Sequence, residues 1–430
     1  ANGEVGREAN LADAFATLGF ADPVFYHYDI DVGQAGDFVG HSLARKTITL
    51  NGQRATIVAV ILRGGGYGGE WVSNLHTGVG AGHAGFVIPV NEVLTALRNY
   101  LARAAAQPGG TGTVKLWVGG YSRGAAVANL LAGRINKELP EIEAVSVCTW
   151  NSQHAPCTIL ALEAGKNVLC EKPMADSTAA AEQMLEAAKR SGKLLQIGFV
   201  CRYGRDCKLI EELRDKDFFG DFYYAKATYL RRHGSPSGWF THKKYSSGGP
   251  LIDLGVHVID LTRFLMGNPK PVSVYGVTFD KRKDRPECTD PFGYIASSPD
   301  GQRVFDVEDL AVALVRYDNG AVLEVETSYS LDIKEDQYKL ELFGTKSGVK
   351  MGQGLEFYTE VDGHMMNMGP AYSDYYTDEG HLFSDEIDHF VDCVQNGTPC
   401  RAPAEDGIAI MKILEAIYES ARTGHEVTLK

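Results

Sequence analysis

The chain has 430 residues, enough for two or three domains, with 44% hydrophobic and 23% charged residues, an ordinary globular balance. Its formal net charge of −13 excludes nucleic acid as a main partner, because phosphate binding needs a basic surface. No apolar run approaches the ~18 residues of a membrane helix, and the polar start Ala1–Asn10 carries no signal-peptide pattern, so neither membrane nor secretion is expected.

Ala1 stands where an initiator Met would, which suggests a processed or trimmed product. All eight cysteines lie at or beyond Cys148 without a CxxC pair, which predicts free thiols in a reducing cytoplasm. The twelve histidines show no ligand spacing with each other or with cysteine, so no metal site is expected. Charge shifts near Glu143: the part before it is nearly balanced, and the part after it carries almost all the net negative charge.

In chain order, Ile57–Leu62 is a continuous β-branched run ending in Arg63-Gly64-Gly65-Gly66, which predicts a buried parallel strand and a loop. Val90–Ala105 has apolar residues at helical spacing and stops before Gln107-Pro108-Gly109-Gly110. Val114–Val118 is the next expected strand, and Arg123–Glu138 an Ala/Leu-rich helix ended by Pro140. Ser122 sits at the turn between them, flanked by Gly120 and Gly124, as the tight turn of a nucleophile elbow requires. The Arg123 N–H would then help hold an oxyanion. Alone, GxSxG is a weak motif, and the bland reading is a structural strand–turn–helix.

Leu62-Arg63-Gly64, Glu70–Asn74, Gly82–Phe86 and Gly120–Leu130 together resemble the lipase class 3 group of α/β hydrolases over roughly residues 40 to 140. That resemblance implies Ser122 as nucleophile. The family's Asp and His follow the serine, and this chain changes character before reaching them, which leaves Ser122 without its base.

Beyond the seam, Ala144–Thr149 is an expected strand, Pro156 suits the first turn of a helix and Gly165 its C-cap. Val168–Cys170, a helix from Thr178 to Arg190 closed by Gly192, and the strand Leu194–Phe199 complete a β-α-β-α-β run, half of a doubly wound sheet. Pro250 can open a helix that Gly267 closes. Asp253, His257 and Asp260 then share one face of it. Spacing alone leaves two readings, a surface charge pair or an acidic residue orienting a histidine.

Cys148–Ala155, Glu171-Lys172-Pro173 and Gly249–His257 together resemble the glucose–fructose oxidoreductase / inositol dehydrogenase (Gfo/Idh/MocA) family. Asp306–Asp309, two strands Ala311–Tyr317 and Ala321–Ser330 joined at Asp318-Asn319-Gly320, Phe343–Gly348 and Phe383–Asp392 extend the match to about two thirds of the chain. The resemblance implies hydride exchange between NAD or NADP and a hydroxyl-bearing carbon of a sugar, cyclitol or similar polyol. It implies His257 as general acid/base, Lys172 touching the reacting hydroxyl and the nicotinamide ribose, and Asp253 positioning the substrate or the base. Asn151, His154, Glu171 and Pro173, with Lys172, would bind the cofactor. It also implies a homodimer or homotetramer.

Two departures stand out. Trp150 occupies a position where Pro is common, and no strand–GxGxxG–helix unit opens the cofactor domain. Gly64–Gly69 has compatible glycines but no helix pattern after it, and reads as a loop. The expected fold is therefore α/β. A doubly wound parallel sheet, hybrid between a hydrolase-like first half and a Rossmann second half, precedes an α+β domain with a large, mostly antiparallel sheet. The expected domains are 1–143, lipase-like; 144–202, the second half of a Rossmann domain; and 203–430, for substrate and oligomerisation. Three functions fit: an NAD(P)-dependent oxidoreductase impaired by loss of its dinucleotide fingerprint, a serine ester hydrolase at Ser122, or a non-catalytic or artefactual fusion.

Overall fold

The computed structural model describes residues 7–27, 39–50, 53–62, 84–105, 113–120, 144–282, 296, 304–352, 354–371 and 379–429. Ser122, the glycine loop expected at 64–69 and the helix expected at 123–138 lie outside the described residues. The chain divides into two compact units, Ala1–Glu171 with Glu186–Leu195, and Lys172–Leu185 with Gln196–Lys430.

The first unit opens with α1 (Arg7–Thr17), β1 (Ala21–Tyr26), β2 (His41–Leu50), β3 (Gln53–Leu62), α2 (Ala84–Ala105) and β4 (Thr113–Gly120). The four strands form one sheet in chain order, with β1–β2 and β2–β3 antiparallel and β3–β4 parallel. The parallel partner expected for Ile57–Leu62 is thus present, joined by an antiparallel one on its other edge. The β3 run is apolar on both faces because helices cover both. Val58, Val60 and Leu62 pack with Leu43 and with Val93, Leu94 and Leu97 of α2. Ala59 and Ala44 pack with Phe15 of α1. Helix α2 starts six residues before the expected Val90 and contains Pro89.

Next come β5 (Ala144–Val147), α3 (Asn151–Glu163) and β6 (Asn167–Glu171). Strand β5 lies alongside β4 and pairs in parallel with β6, from Ala144↔Asn167 to Val147↔Cys170. Val168 donates to the Leu194 carbonyl at 2.8 Å on the other side of β6. Pro156 is not in the first turn of α3 but well inside it, because the helix begins at Asn151. Gly165 follows the cap with φ +73, a left-handed conformation that favours glycine.

The division between the units crosses α4 (Thr178–Ser191) and the start of β7 (Leu195–Gly198), and the second unit then carries α5 (Arg205–Asp215), β8 (Phe222–Leu230), α6 (Val256–Leu265), β9 (Pro271–Phe279), β10 (Leu310–Tyr317) and β11 (Val322–Ser328). It continues with β12 (Gln337–Gly344), β13 (Ser347–Met351), β14 (Glu356–Val361), β15 (His364–Met368), α7 (Glu379–Asn396), α8 (Ala404–Thr423) and β16 (Val427–Thr428). Nine strands form a sheet in the order β15-β14-β13-β12-β8-β11-β10-β9-β16. Among the described strand pairs of this sheet only β8–β11 is parallel, so the expected antiparallel character holds. The expected hairpin joins β10 and β11, with Gly320 at φ +86 in the turn. One sheet face is covered: a Cβ on Gly276 of β9 would meet Ile417 of α8 at 2.8 Å.

The Gly248–Gly267 segment departs from a regular helix. Leu251–Gly255 is a π turn, and α6 continues from it as an α-helix. Asp253 and Asp260 take different partners, Lys172 for the first and Arg202 for the second. Asp260 instead enters a buried ion network. Arg202, with its side chain fully buried, grips Asp260 at 2.9 and 2.5 Å and Asp406 at 2.8 Å, and Arg263 binds Asp406 at 2.9 Å. Phe199 and Phe264 flank the Arg202 guanidinium at 4.9 and 4.5 Å.

Among the described residues, no helix is long and apolar enough to cross a membrane, and no group of three or more His, Cys, Asp or Glu could hold a metal ion.

Candidate active site

The site in the second unit is built on the start of the Pro250–Leu265 helical segment. Its first N–H groups need acceptors, and Glu308 supplies them. The buried Glu308 carboxylate accepts from Gly249 N–H at 3.0 and 3.1 Å, from Leu251 N–H at 3.1 Å and from the Tyr418 hydroxyl at 2.9 Å. The two glycines are required by this closeness: a Cβ on Gly249 would lie 2.2 Å from the Glu308 carbonyl oxygen, and one on Gly248 2.1 Å from the Tyr418 hydroxyl. Burial raises the Glu308 carboxyl, against the hydrogen bonds from Gly249 and Leu251. Glu308→Ala is expected to cost about 1–3 kcal/mol in denaturant unfolding, because it orphans two backbone donors and a tyrosine hydroxyl.

On this seat the π turn presents Asp253, and α6 presents His257 from its first turn. Lys172 Nζ donates to Asp253 Oδ1 and to the Asp253 carbonyl, both at 2.9 Å. The Tyr329 hydroxyl donates to Asp253 Oδ2 at 3.2 Å. Burial works to raise the Asp253 carboxyl, and Lys172, with His257 and Arg231 behind it, outweighs burial, so it titrates below its ordinary range. Burial, then Lys172 and Arg231, push the His257 imidazole down to about 3 against the pull of Asp253. The histidine is therefore neutral. Its Nδ1 lies 3.9 Å from Cys201 Sγ, and burial pushes that thiol up to about 11. The Lys172–Pro173 peptide is cis.

Of the expected catalytic set, the structure brings together Lys172, Asp253 and His257, while Ser122 lies outside the described residues. The expected cofactor set falls in both units. Pro173 follows Lys172 in the second. In the first, Asn151 opens α3 just past β5, and Glu171 ends β6. His154 is buried, with Nε2 3.1 Å from the Thr149 carbonyl. Trp150, the departure from Pro, is the N-cap of α3 with φ −65. That is the angle a proline ring enforces, so the indole keeps the backbone path.

The donor set of the first unit fits a dinucleotide. Its residues cluster at the carboxyl ends of two adjacent parallel strands, where α/β sheets bind such ligands, and they offer an amide, a carboxylate and a helix N-terminus.

Residues 124–199 match the model described as oxidoreductase family, NAD-binding Rossmann fold, and residues 215–429 match the oxidoreductase family, C-terminal alpha/beta domain. D-glucoside 3-dehydrogenase of Escherichia coli (strain K12) is 34% identical over 290 residues, 67% of this chain and 79% of that protein. The chain belongs to the Gfo/Idh/MocA oxidoreductase family. Another Gfo/Idh/MocA relative, scyllo-inositol 2-dehydrogenase (NAD(+)) of Bacillus subtilis (strain 168), is 27% identical over 68% of this chain and 79% of its own length. The crystal structure of aldose-aldose oxidoreductase from Caulobacter crescentus complexed with glycerol aligns at a TM-score of 0.57 with 26% identity, covering 78% of this chain and 89% of that one. For a Gfo/Idh/MocA protein the Rossmann-type unit and the antiparallel-rich sheet domain are both expected, and the family match on the first side reaches back to Gly124.

Four neighbours of the site escaped the sequence reading. In the sequence Glu308 stands out only as part of Asp306–Asp309. Tyr329 and Arg231 lie at strand ends, and Cys201 in a short turn after β7, with no local pattern to single them out.

Proposed function

We propose that the chain is an NAD(P)-dependent oxidoreductase that interconverts a hydroxyl-bearing carbon and a carbonyl on a sugar, cyclitol or similar polyol. The observation that carries this reading is the Lys172–Asp253–His257 group in a chain of this family. Bound NAD(P) supplies the hydride acceptor. His257, held neutral by burial and two cations, takes the hydroxyl proton. With its Nδ1 hydrogen turned to Cys201, its Nε2 keeps the lone pair for that proton. Lys172 places a positive charge at the developing alkoxide, and Asp253 fixes the ammonium by side chain and carbonyl together. By the family resemblance, Asn151, His154, Glu171, Lys172 and Pro173 bind the cofactor.

Within this reading, residues 1–143 form the lipase-like segment, 144–202 the second half of the Rossmann domain, and 203–430 the substrate and oligomerisation domain. Strand β4, alongside β5, takes the place of the first Rossmann strand. Gly120, at its carboxyl end, then lies where a pyrophosphate loop belongs. Titration calorimetry with NAD and NADP is expected to show micromolar binding that Gly120→Val removes. Binding that survives the substitution would refute this placement of the cofactor.

The seven described cysteines are free thiols, in keeping with a reducing cytoplasm. Tyr275 and Leu314 lie opposite each other, both 46% exposed, on the open sheet face, which supports a homodimer or homotetramer. Family membership accounts for the chain without an ester hydrolase at Ser122 or a non-catalytic fusion. NADH formation from NAD and methyl glucoside or inositol tests the function. No turnover with any polyol would overturn it.

A further inference from the structure

We propose that Arg231 selects an anionic polyol, receiving a carboxylate or phosphate group of the substrate beside Lys172, Asp253 and His257. This rests on the oxidoreductase reading of that site and adds the class of substrate.

The position follows from sheet register. β8 and β11 run parallel and end together at Leu230↔Ser328. Arg231, whose N–H donates to the Ser328 carbonyl at 2.9 Å, therefore stands beside Tyr329, and the Tyr329 hydroxyl is on Asp253. Residues adjacent in register share a sheet face, so Arg231 is on the face that carries the site. Its charge is felt by both Asp253 and His257.

The Arg231 guanidinium is fixed, half-buried and paired only with neutral groups. Nη1 donates to the Gly234 carbonyl at 2.9 Å and Nη2 to the Tyr229 hydroxyl at 3.1 Å, with the guanidinium carbon 5.3 Å from the centre of the Tyr229 ring. Among the described residues no carboxylate forms an ion pair with it. Guanidinium has five N–H donors in a planar fork that matches a carboxylate or phosphate, so donors remain to spare.

Lys172, the other cation of the site, is held in a direct ion pair by Asp253 at 2.9 Å. Asp253 acts on Arg231 only from beyond contact distance, so the guanidinium is a half-buried charge with no direct ion pair among the described residues, the kind of charge that an anionic partner stabilises. Gly234 keeps the fork in place, since a Cβ there would lie 2.3 Å from Arg231 Cδ. Tyr338, packed edge-on to Tyr229 at 5.1 Å, extends an aromatic wall suited to a sugar ring.

The test is titration calorimetry of the full chain with D-glucose, D-glucuronate and D-glucose 6-phosphate, which differ at one carbon. The wild type is expected to bind at least one anionic sugar about tenfold or more tighter than glucose, with the gap shrinking in high salt. Arg231→Met should bring the anions to the level of glucose. Gly234→Ala, which keeps the charge but displaces the fork, should narrow the gap as well, with an unchanged circular dichroism spectrum. Preference for glucuronate alone assigns a carboxylate, and preference for the phosphate alone a monoester. Equal or tighter binding of glucose, no binding of any of the three, or a preference that survives Arg231→Met would overturn the assignment. NADH formation, followed separately, keeps the two readings apart. Turnover of glucose without anion preference sinks only the role of Arg231, whereas Arg231-dependent binding with no turnover of any polyol sinks only the oxidoreductase reading.

Discussion

His257→Ala and Lys172→Ala are each expected to lower kcat for polyol oxidation by about 10²–10⁴-fold, the range for loss of a positioned proton acceptor or of charge at a developing alkoxide. The double variant should fall little further than the worse single one, because the two groups serve one proton transfer. Lys172→Ala also leaves Asp253 without its cation, so Asp253→Asn in the same background should recover stability but not activity. Steady-state rates with saturating NAD and polyol decide the matter, and a His257→Ala enzyme as fast as the wild type would remove His257 from the mechanism.

The depressed imidazole also shapes the response to acid. His257 stays neutral in the folded chain down to about pH 3, whereas an unfolded histidine takes up its proton near pH 6.5. Between those values the unfolded state binds more protons. The contribution of His257 to stability is thus complete above about pH 6.5 and drains away as pH falls toward 3, by at most ~1.4 kcal/mol per pH unit. His257→Asn should flatten that slope in urea titrations, and a slope unchanged by the substitution would contradict a buried neutral imidazole.

Arg202→Met is expected to destabilise the protein by about 3–5 kcal/mol, because it strands Asp260 and Asp406 without their shared partner. The effect should reach the active site, since Asp260 lies in α6 three residues after His257. Replacing Arg202 and Asp260 together by Met and Leu should recover most of the loss, because the cost lies in the uncompensated charge and not in missing volume. Denaturant unfolding measures both variants. A single substitution that costs no more than an ordinary surface change would show that the network adds little.

Much of this was legible in the sequence, and the reasons are local. The β3 run, the helical spacing of α2 and α4, and the turn at Gly320 follow from side-chain periodicity and backbone freedom. Lys172, Asp253 and His257 stand out through the family resemblance, since the spacing of Asp253 and His257 leaves a surface charge pair equally open. Spacing does not reveal that Asp260 pairs with Arg202, because that partner lies 58 positions away. It misled at Pro156, where the proline marks the interior of a helix and not its start. The antiparallel β2–β3 pair and the edge position of β1 went unread, since pairing depends on which strands meet and not on either strand alone.

The sequence by itself determined the family and the alternation of strand and helix around Lys172, because those depend on residue identity at short spacing. Tertiary structure alone decided what each of those residues touches. Asp253 reaches Lys172 across 81 positions, Glu308 caps Gly249 across 59, and Arg202 joins Asp406 across 204. A contact at such separation exists only once the sheet register has brought the segments together. The neutrality of His257, the cap on its helix and the placement of the Arg231 fork between Gly234 and Tyr229 are therefore properties of the fold.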